Sequence, residues 1–346
     1  MNIVLTICSS NYLAHAKTLG DSVLEYNPDV RFVIGLVDVL TPEIDLVGFQ
    51  RFEILDVEKT LTATVFQELL SKYYLVELNT AVKPYLMDYL YKRDPLVKTV
   101  SYFDPDIKVY SSLLPLFQNV RDKGIIVTPH GCTYDDSSEN IAGELSMLAC
   151  GMYNLGFIAT SRSDETCEFL RWWMLRLRNH CTHRTDVPGT FFDQNWVMLA
   201  GIYFRNFYVE KNPGYNVAWW NLFERKITTE KGRYVVNEQA PLFFVHFSAY
   251  KPEHDDHIAW RVQIPMGFDK HPELKPLFDD YKKSLLDRGY ANFKSLKWGY
   301  TSSKENRSGS TSVMRVVKSA IILMLSLLPA WFKKMLIGIL KQSLAS

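Results

Sequence analysis

Residues 2–38 read NIVLTICSSNYLAHAKTLGDSVLEYNPDVRFVIGLVD. Asn2–Ile7 is an apolar run without alternation, the pattern of a strand covered on both faces. It breaks at Cys8-Ser9-Ser10-Asn11. Tyr12–Tyr26 then reads as a helix that stops at Asn27-Pro28. Arg31–Val37 (RFVIGLV) predicts a second buried strand finishing at Asp38. Strand, loop, helix and strand within about forty residues form the βαβ unit of a parallel α/β sheet. In such sheets ligands collect at the carboxyl ends of the strands, where Asp38 is predicted to lie.

A second stretch repeats that placement. In TVSYFDPDIKVY, residues 99–110, an apolar run enters Asp104-Pro105-Asp106 before apolar alternation resumes at Ile107. Aspartate is depleted in strands and proline removes a ladder donor, so pairing should stop at the triplet. Two readings are open. One is a solvated turn between two strands; the other is a pair of hard oxygen ligands for Mg²⁺ or Mn²⁺, whose shell phosphates and water would complete.

Further strands are predicted at Gly124–Thr128, Asn154–Ala159, Tyr203–Val209 and Leu242–Phe247. Helices are expected over Thr62–Glu77, Asn79–Tyr91, Asp164–Asn179 and Asp193–Ala200. The whole is a mixed, mostly parallel sheet flanked by helices. With 346 residues, 47% hydrophobic and 22% charged, the chain has the composition of a folded protein with a large core. A net charge of +1 provides no basic field for nucleic acid. Five cysteines, at 8, 132, 150, 167 and 181, form no CxxC pair. That pattern predicts reduced thiols in the cytoplasm rather than a zinc or redox motif. The amino-terminal apolar run is too short for the apolar region of a secretory signal.

Three more stretches carry chemistry. FFVHFSAYKP (243–252) delivers His246 on an apolar strand, with Lys251 five residues on. Each has an ordinary structural reading; beside an acidic pair they read as a third metal ligand and a charge for a diphosphate. FFDQNWVMLA (191–200) places Asp193 and Gln194 at a helix start, where spacing alone favours a capping role for Asp193. NPGYNVAWWNL (212–222) combines turn residues, a Trp pair and asparagines, which suit a sugar site or a core. HDDH (254–257) reads as a solvated loop.

Taken in order, TVSYFDPDIKVY, YNLGFIA, FFDQNWVML, NPGYNVAWWNL and VHFSAYKP resemble nucleotide-sugar glycosyltransferases of the GT-A fold. The likeness is to the bacterial surface-polysaccharide type and, more loosely, to the retaining glycogenin-like family, over residues 1–260. The resemblance implies a hexosyltransferase-like enzyme with a Rossmann-type GT-A architecture. Residues 1–110 would form its nucleotide-binding half and 111–260 its sugar and acceptor half, within a domain spanning 1–301. It implies Asp104, Asp106 and His246 as ligands for Mn²⁺ or Mg²⁺. Thr6, Ile7, Tyr12, Asp38, Lys83 (in LNTAVKPYL), Asp104, Asn154, Gly156 and Lys251 would bind the donor, with Asp193 and Gln194 at the reacting carbon. The family's H-x-x-G-x-x-K spacing is not kept, since His246 and Lys251 stand five apart with no glycine between.

The carboxyl-terminal end differs in kind. SSKENRSGST (302–311) reads as a linker. From Ser312 onward there are five cations (Arg315, Lys318, Lys333, Lys334, Lys341) and no acid. A cationic stripe on an otherwise apolar helix predicts a tail, 312–346, lying on an anionic membrane surface. The expectation is a cytoplasmic enzyme peripheral to the inner face of the cell membrane. It would move a sugar from a nucleoside diphosphate to a lipid-linked or surface glycan, with retention of configuration. Two alternatives would use the same residues: a metal-dependent phosphodiester or pyrophosphate hydrolase, and a non-catalytic carbohydrate-binding membrane protein.

Overall fold

In chain order the amino-terminal half is built from β1 (Asn2–Cys8), α1 (Leu13–Tyr26), β2 (Arg31–Leu36), β3 (Glu53–Asp56), α2 (Val57–Thr60), α3 (Ala63–Lys72), α4 (Leu75–Ala81), α5 (Lys83–Arg93), β4 (Thr99–Phe103) and β5 (Ile107–Val109). There follow α6 (Leu114–Lys123), β6 (Ile125–Pro129), α7 (Ser138–Cys150), β7 (Tyr153–Ser161), α8 (Asp164–His180), α9 (Gln194–Val197), α10 (Ala200–Tyr203) and β8 (Phe207–Val209). These elements belong to a computed structural model that describes residues 1–300 except 43, 135–136, 184–190, 255 and 261–265. The expected linker 302–311 and basic tail 312–346 lie outside the described residues, as does Asp255 of the HDDH stretch.

The main sheet has seven strands in the order β3-β2-β1-β4-β7-β6-β8. The pairs β1–β2, β2–β3, β1–β4 and β6–β8 are parallel, whereas β7 runs antiparallel to both β4 and β6. The βαβ unit read from residues 2–38 is therefore present, with Ile3 opposite Arg31 and Cys8 opposite Leu36. Its strands are covered on both faces: every residue of β1 after Asn2 and of β2 after Arg31 is buried, as an unbroken apolar run requires. The boundary expected at residue 110 falls just after β5, yet the sheet crosses it through the β4–β7 pairing. Met1–Trp298 make up one structural unit.

Helix starts follow local chemistry. Thr62 accepts from Val65 N at the head of α3, and Ser163 accepts from Thr166 N at the head of α8, each satisfying an otherwise unpaired first-turn amide. The helix expected over Thr62–Glu77 is broken between Lys72 and Leu75. At the break Tyr73 N still donates to Leu69 O, the Tyr73 hydroxyl donates to Leu177 O, and Tyr74 N donates to the Glu77 carboxylate, a local bond that starts the next helix. Lys83 and Pro84 open α5, which runs to Arg93.

β5 leaves the main sheet and pairs antiparallel with β12 (Phe244–His246), after β9 (Ile227–Glu230), β10 (Arg233–Val236) and β11 (Ala240–Pro241) have formed a separate three-stranded sheet. Under this crossing lie Phe103, Phe157 and Phe244, with ring centroids 5.0–5.3 Å apart. Such aromatic pairs add about 0.5–1.5 kcal/mol each beyond the area they bury. This cluster forms the floor beneath the end of β4.

Candidate metal centre

β4 ends at Phe103, and the chain turns at once. Asp104 N donates to Gly156 O at 2.7 Å and Ile107 N to Asp104 O at 3.2 Å. The turn and the metal-ligand readings of Asp-Pro-Asp are thus compatible: the turn is what swings both carboxylates to one side. Phe247 N donates to Asp106 O at 2.9 Å, and His246 pairs across the ladder with Ile107. His246 Nε2 lies 3.1 Å from Asp106 Oδ1 and 3.7 Å from Asp104 Oδ2. One ligand atom from each of the three residues falls within 4.8 Å of the others. Two carboxylates and an imidazole at that separation fit a divalent cation with open positions for phosphate or water. The histidine is 4% exposed, whereas Asp104 and Asp106 are 29% and 22% exposed, so the open side is the carboxylate side.

The electrostatics are those of a mutually supporting cluster. Burial works against the His246 imidazolium, but the Asp106 and Asp104 carboxylates outweigh it and hold the ring above its ordinary value. Burial likewise opposes charge on Asp106, and His246 outweighs it, keeping the carboxyl below its usual range. Tyr102 donates its hydroxyl to Asp104 Oδ1 at 2.5 Å. Burial and the adjacent Asp104 push that phenol well up, so it remains a donor.

Beside the cluster is a buried ion pair. Lys83 Nζ donates to Asp193 Oδ2 and to Leu155 O, both at 3.0 Å, and stands 3.9 Å from Asp104 Oδ1. It also lies 4.5 Å above the Tyr102 ring. Burial opposes the ammonium, yet Asp193 and Asp104 together raise Lys83 above its ordinary value. For Asp193 burial is the larger effect and raises its carboxyl despite the lysine. Asp193 does stand at the start of α9, but its side chain makes no capping bond; the expected cap gives way to Lys83. Gln194 lies beside it with both amide ends engaged, Oε1 by Leu155 N at 3.2 Å and Nε2 by Cys150 O at 2.9 Å.

A cleft of about 370 Å³ brings these groups together. Of the residues singled out in the sequence, Ile7, Tyr12, Lys83, Asp104, Asp106, Asn154, Gly156, Asp193, Gln194 and His246 line it. Thr6, Asp38 and Lys251 do not. Thr6 is sealed within β1. Asp38 is buried and accepts from Ser10 N and Val39 N, each at 2.9 Å, which fixes the loop after β1. Lys251 is exposed outside the cleft. Leu75, Val76, Asn79, Tyr102, Phe191 and Phe192 also line the cleft. They were missed because they lie in stretches that read as helix, strand or an unremarkable aromatic pair. Only for Tyr102 was there a signal, its position two residues before Asp104. In the HDDH loop, His254 stacks on Trp260 and His257 pairs with Asp256. Among the described residues Asp104, Asp106 and His246 form the one cluster able to hold a metal.

Gly156 makes the close approach possible. A Cβ there would stand 2.3 Å from His246 Cε1, 2.7 Å from its Nδ1 and 2.9 Å from Asn154 Oδ1. Gly156→Ala is therefore expected to displace the His246 ring, weakening Mn²⁺ affinity at least about tenfold and costing about 1–3 kcal/mol of stability. Mn²⁺ titration and urea unfolding of the variant check this.

The chain thus carries a carboxylate–carboxylate–imidazole cluster at the carboxyl end of a central strand of an α/β sheet. No protein-family model matches the chain. It is 26% identical over 289 residues to the uncharacterized protein YfnF of Bacillus subtilis (strain 168), covering 81% of this chain and 93% of that one. Among solved structures it is similar to the galactosyltransferase LgtC in complex with donor and acceptor sugar analogs. That match has 18% identity and a TM-score of 0.48, over 82% of this chain and 96% of LgtC. It is also similar to the glycosyltransferase GlyE of Streptococcus pneumoniae TIGR4, at 13% identity and a TM-score of 0.48, over 85% of this chain and 65% of GlyE. No helix among the described residues is long and apolar enough to cross a membrane.

Proposed function

We propose that this protein is a metal-dependent glycosyltransferase that moves a sugar from a nucleoside-diphosphate donor to a glycan or glycolipid acceptor. The observation that carries the reading is the convergence of Asp104, Asp106 and His246 within 4.8 Å, in a cleft that also holds the Lys83–Asp193 pair. When bound there, Mn²⁺ or Mg²⁺ would offset the negative charge that grows on a departing diphosphate. Tyr102 holds Asp104 by its hydroxyl, and the β5–β12 pairing holds Asp106 against His246. Lys83 adds a fixed positive charge on the cleft wall, its position set by Asp193 and Leu155 O, so no reorganisation is needed as charge develops. Tyr12 lies at the cleft with its ring stacked on His15 at 4.4 Å. Burial lowers His15 to about 4, so a neutral ring backs the face that would carry a nucleobase. The engagement of Asp193 by Lys83 supports it as a positioning charge rather than a base, and with it a retaining transfer. The acceptor is placed on a lipid-linked or surface glycan, with residues 1–301 as the catalytic domain, 302–311 as linker and 312–346 as the contact to an anionic membrane. This would make the protein peripheral to the cytoplasmic face.

The experiment is nucleotide release from UDP-, GDP- and TDP-sugars, each with Mn²⁺ and with EDTA. Release from one donor that requires metal and rises with a glycan acceptor supports the transferase. Release to water indifferent to any acceptor favours the hydrolase. Donors that neither react nor bind by calorimetry in the presence of metal sink both.

A further inference from the structure

We infer that Asn154 and Asn216 are positioning residues for His246, orienting its ring so that Nε2 is turned toward Asp104 and Asp106, where it donates to Asp106 in the metal-free protein and offers a lone pair once a cation displaces that proton. This rests on the metal reading above. It concerns the side of the histidine turned away from the cation.

His246 Nδ1 lies 3.3 Å from Asn154 Oδ1. The same oxygen accepts from Gly156 N at 3.2 Å and from Asn216 Nδ2 at 3.1 Å. The nitrogen end of the Asn154 amide faces His130 Nε2 at 3.4 Å and Gln194 Oε1 at 3.5 Å. Turning the amide over would set an NH₂ group against the fixed backbone donor Gly156 N and an oxygen against Gln194 Oε1, whose own amide is held by Leu155 N and Cys150 O. Its orientation is therefore determined by its surroundings. An oxygen facing Nδ1 accepts only, so Nδ1 must carry the proton, and in the neutral ring the lone pair is then on Nε2. Metal-binding histidines are commonly oriented by such a bond from the other ring nitrogen. It follows that the Asn154 oxygen is occupied by protein donors instead of being offered to a sugar hydroxyl.

Asn216 holds that oxygen in place. It is fully buried and donates from the same nitrogen to Thr128 Oγ1 at 2.8 Å. Its backbone is left-handed, φ 52°, a conformation asparagine adopts more readily than most residues. The segment is registered against the strand that carries the histidine: Val217 N donates to Phe244 O at 3.2 Å and His246 N to Val217 O at 2.8 Å. Asn221 Nδ2 donates to Asn216 O at 3.0 Å. Asn216 and Asn221 of NPGYNVAWWNL thus stand behind the candidate metal ligand, while Asn212 accepts from Gly214 N within its own turn.

The test uses Mn²⁺ affinity, read from the electron paramagnetic resonance signal of free Mn²⁺, for the unsubstituted protein, Asn154→Asp and Asn154→Leu. Measurements are made with Mn²⁺ alone and with UDP, GDP or TDP, with no sugar transfer involved. A carboxylate at 154 still accepts from Nδ1, whereas leucine cannot. Asn154→Asp should stay within about threefold of the unsubstituted affinity, and Asn154→Leu should lose about 10–100-fold. A packing role predicts the reverse order, because a buried carboxylate is the costlier replacement. Any result in which Asn154→Leu binds as well as Asn154→Asp overturns the inference. Should the leucine variant not fold, ¹⁵N spectra of histidine in the Mg²⁺-loaded unsubstituted protein decide: a proton on His246 Nδ1 supports the assignment and a proton on Nε2 overturns it. Failure of the unsubstituted protein to bind either metal, with or without nucleotide, overturns the metal reading itself and is thereby distinct.

Discussion

Asp106→Asn is expected to lower metal-dependent transfer by about 10²–10³-fold or more while the protein keeps its fold. The substitution keeps the shape of the side chain and removes one charge from the cluster. Two backbone bonds hold the segment, Phe247 N to Asp106 O at 2.9 Å and the His246–Ile107 pairing, while the side-chain contact of Asp106 with His246 at 3.1 Å keeps an oxygen acceptor and loses only its charge. Asparagine leaves both untouched, so thermal unfolding of the metal-free variant should shift by only a few degrees. What changes is the response to metal. A cation that binds only the native state at a hundred times its dissociation constant stabilises by about 2.7 kcal/mol. The unsubstituted protein should show such a gain with Mn²⁺ and the variant little of it. Paired thermal scans with and without Mn²⁺, alongside nucleotide release, make the comparison. A fully active Asp106→Asn protein would remove the cluster from the mechanism.

The βαβ unit was legible because residues 2–38 carry two unbroken apolar runs separated by a polar break and a helical stripe. Those patterns have one economical burial. The turn at Asp104-Pro105-Asp106 was legible for a complementary reason, since those residues cannot continue a ladder. What was not legible is where β5 goes. Ile107–Val109 is too short to declare a partner, and its pairing with Phe244–His246 joins segments more than 130 residues apart. The small sheet of β9, β10 and β11 was also missed, its strands being only two to four residues long, as was α6.

The site follows the same division. Asp104, Asp106 and His246 could be singled out one by one because each interrupts an apolar run, but their convergence depends on that long-range pairing. Asp193 was read as a helix cap because spacing sees only the chain nearby. Its carboxylate is instead claimed by Lys83, 110 residues distant. Asp38, which the resemblance places at the donor, accepts from Ser10 N and Val39 N in the loop after β1, a pair of bonds no local pattern announces. The asparagines of NPGYNVAWWNL were noted as hydrogen bonders, while the direction of the Asn216 and Asn221 bonds, inward to Asn154, Thr128 and the backbone, is a property of the folded packing alone.

Lys83→Met is expected to cost about 3–5 kcal/mol, because removing one partner of a buried ion pair strands the other. Lys83 and Asp193 are 6% and 4% exposed with Nζ 3.0 Å from Oδ2, so the carboxylate loses its main partner and keeps little contact with water. Replacing both charges should be far milder. In Lys83→Met/Asp193→Asn neither member of the pair is left charged without the other, Asp104 keeps His246 as its partner, and about 2 kcal/mol or more of the loss should return. Urea unfolding of the metal-free single and double variants measures the coupling directly, with an unchanged slope as the sign that both still unfold from the same native state. Activity should part company with stability in this cycle. Lys83 also stands 3.9 Å from Asp104, where its charge faces the proposed diphosphate, and methionine does not restore that charge however stable the double variant becomes. A double variant that regains both stability and transfer would reduce Lys83 to a structural ion. Regained stability with transfer still lost is the outcome expected if the lysine serves both the fold and the leaving group.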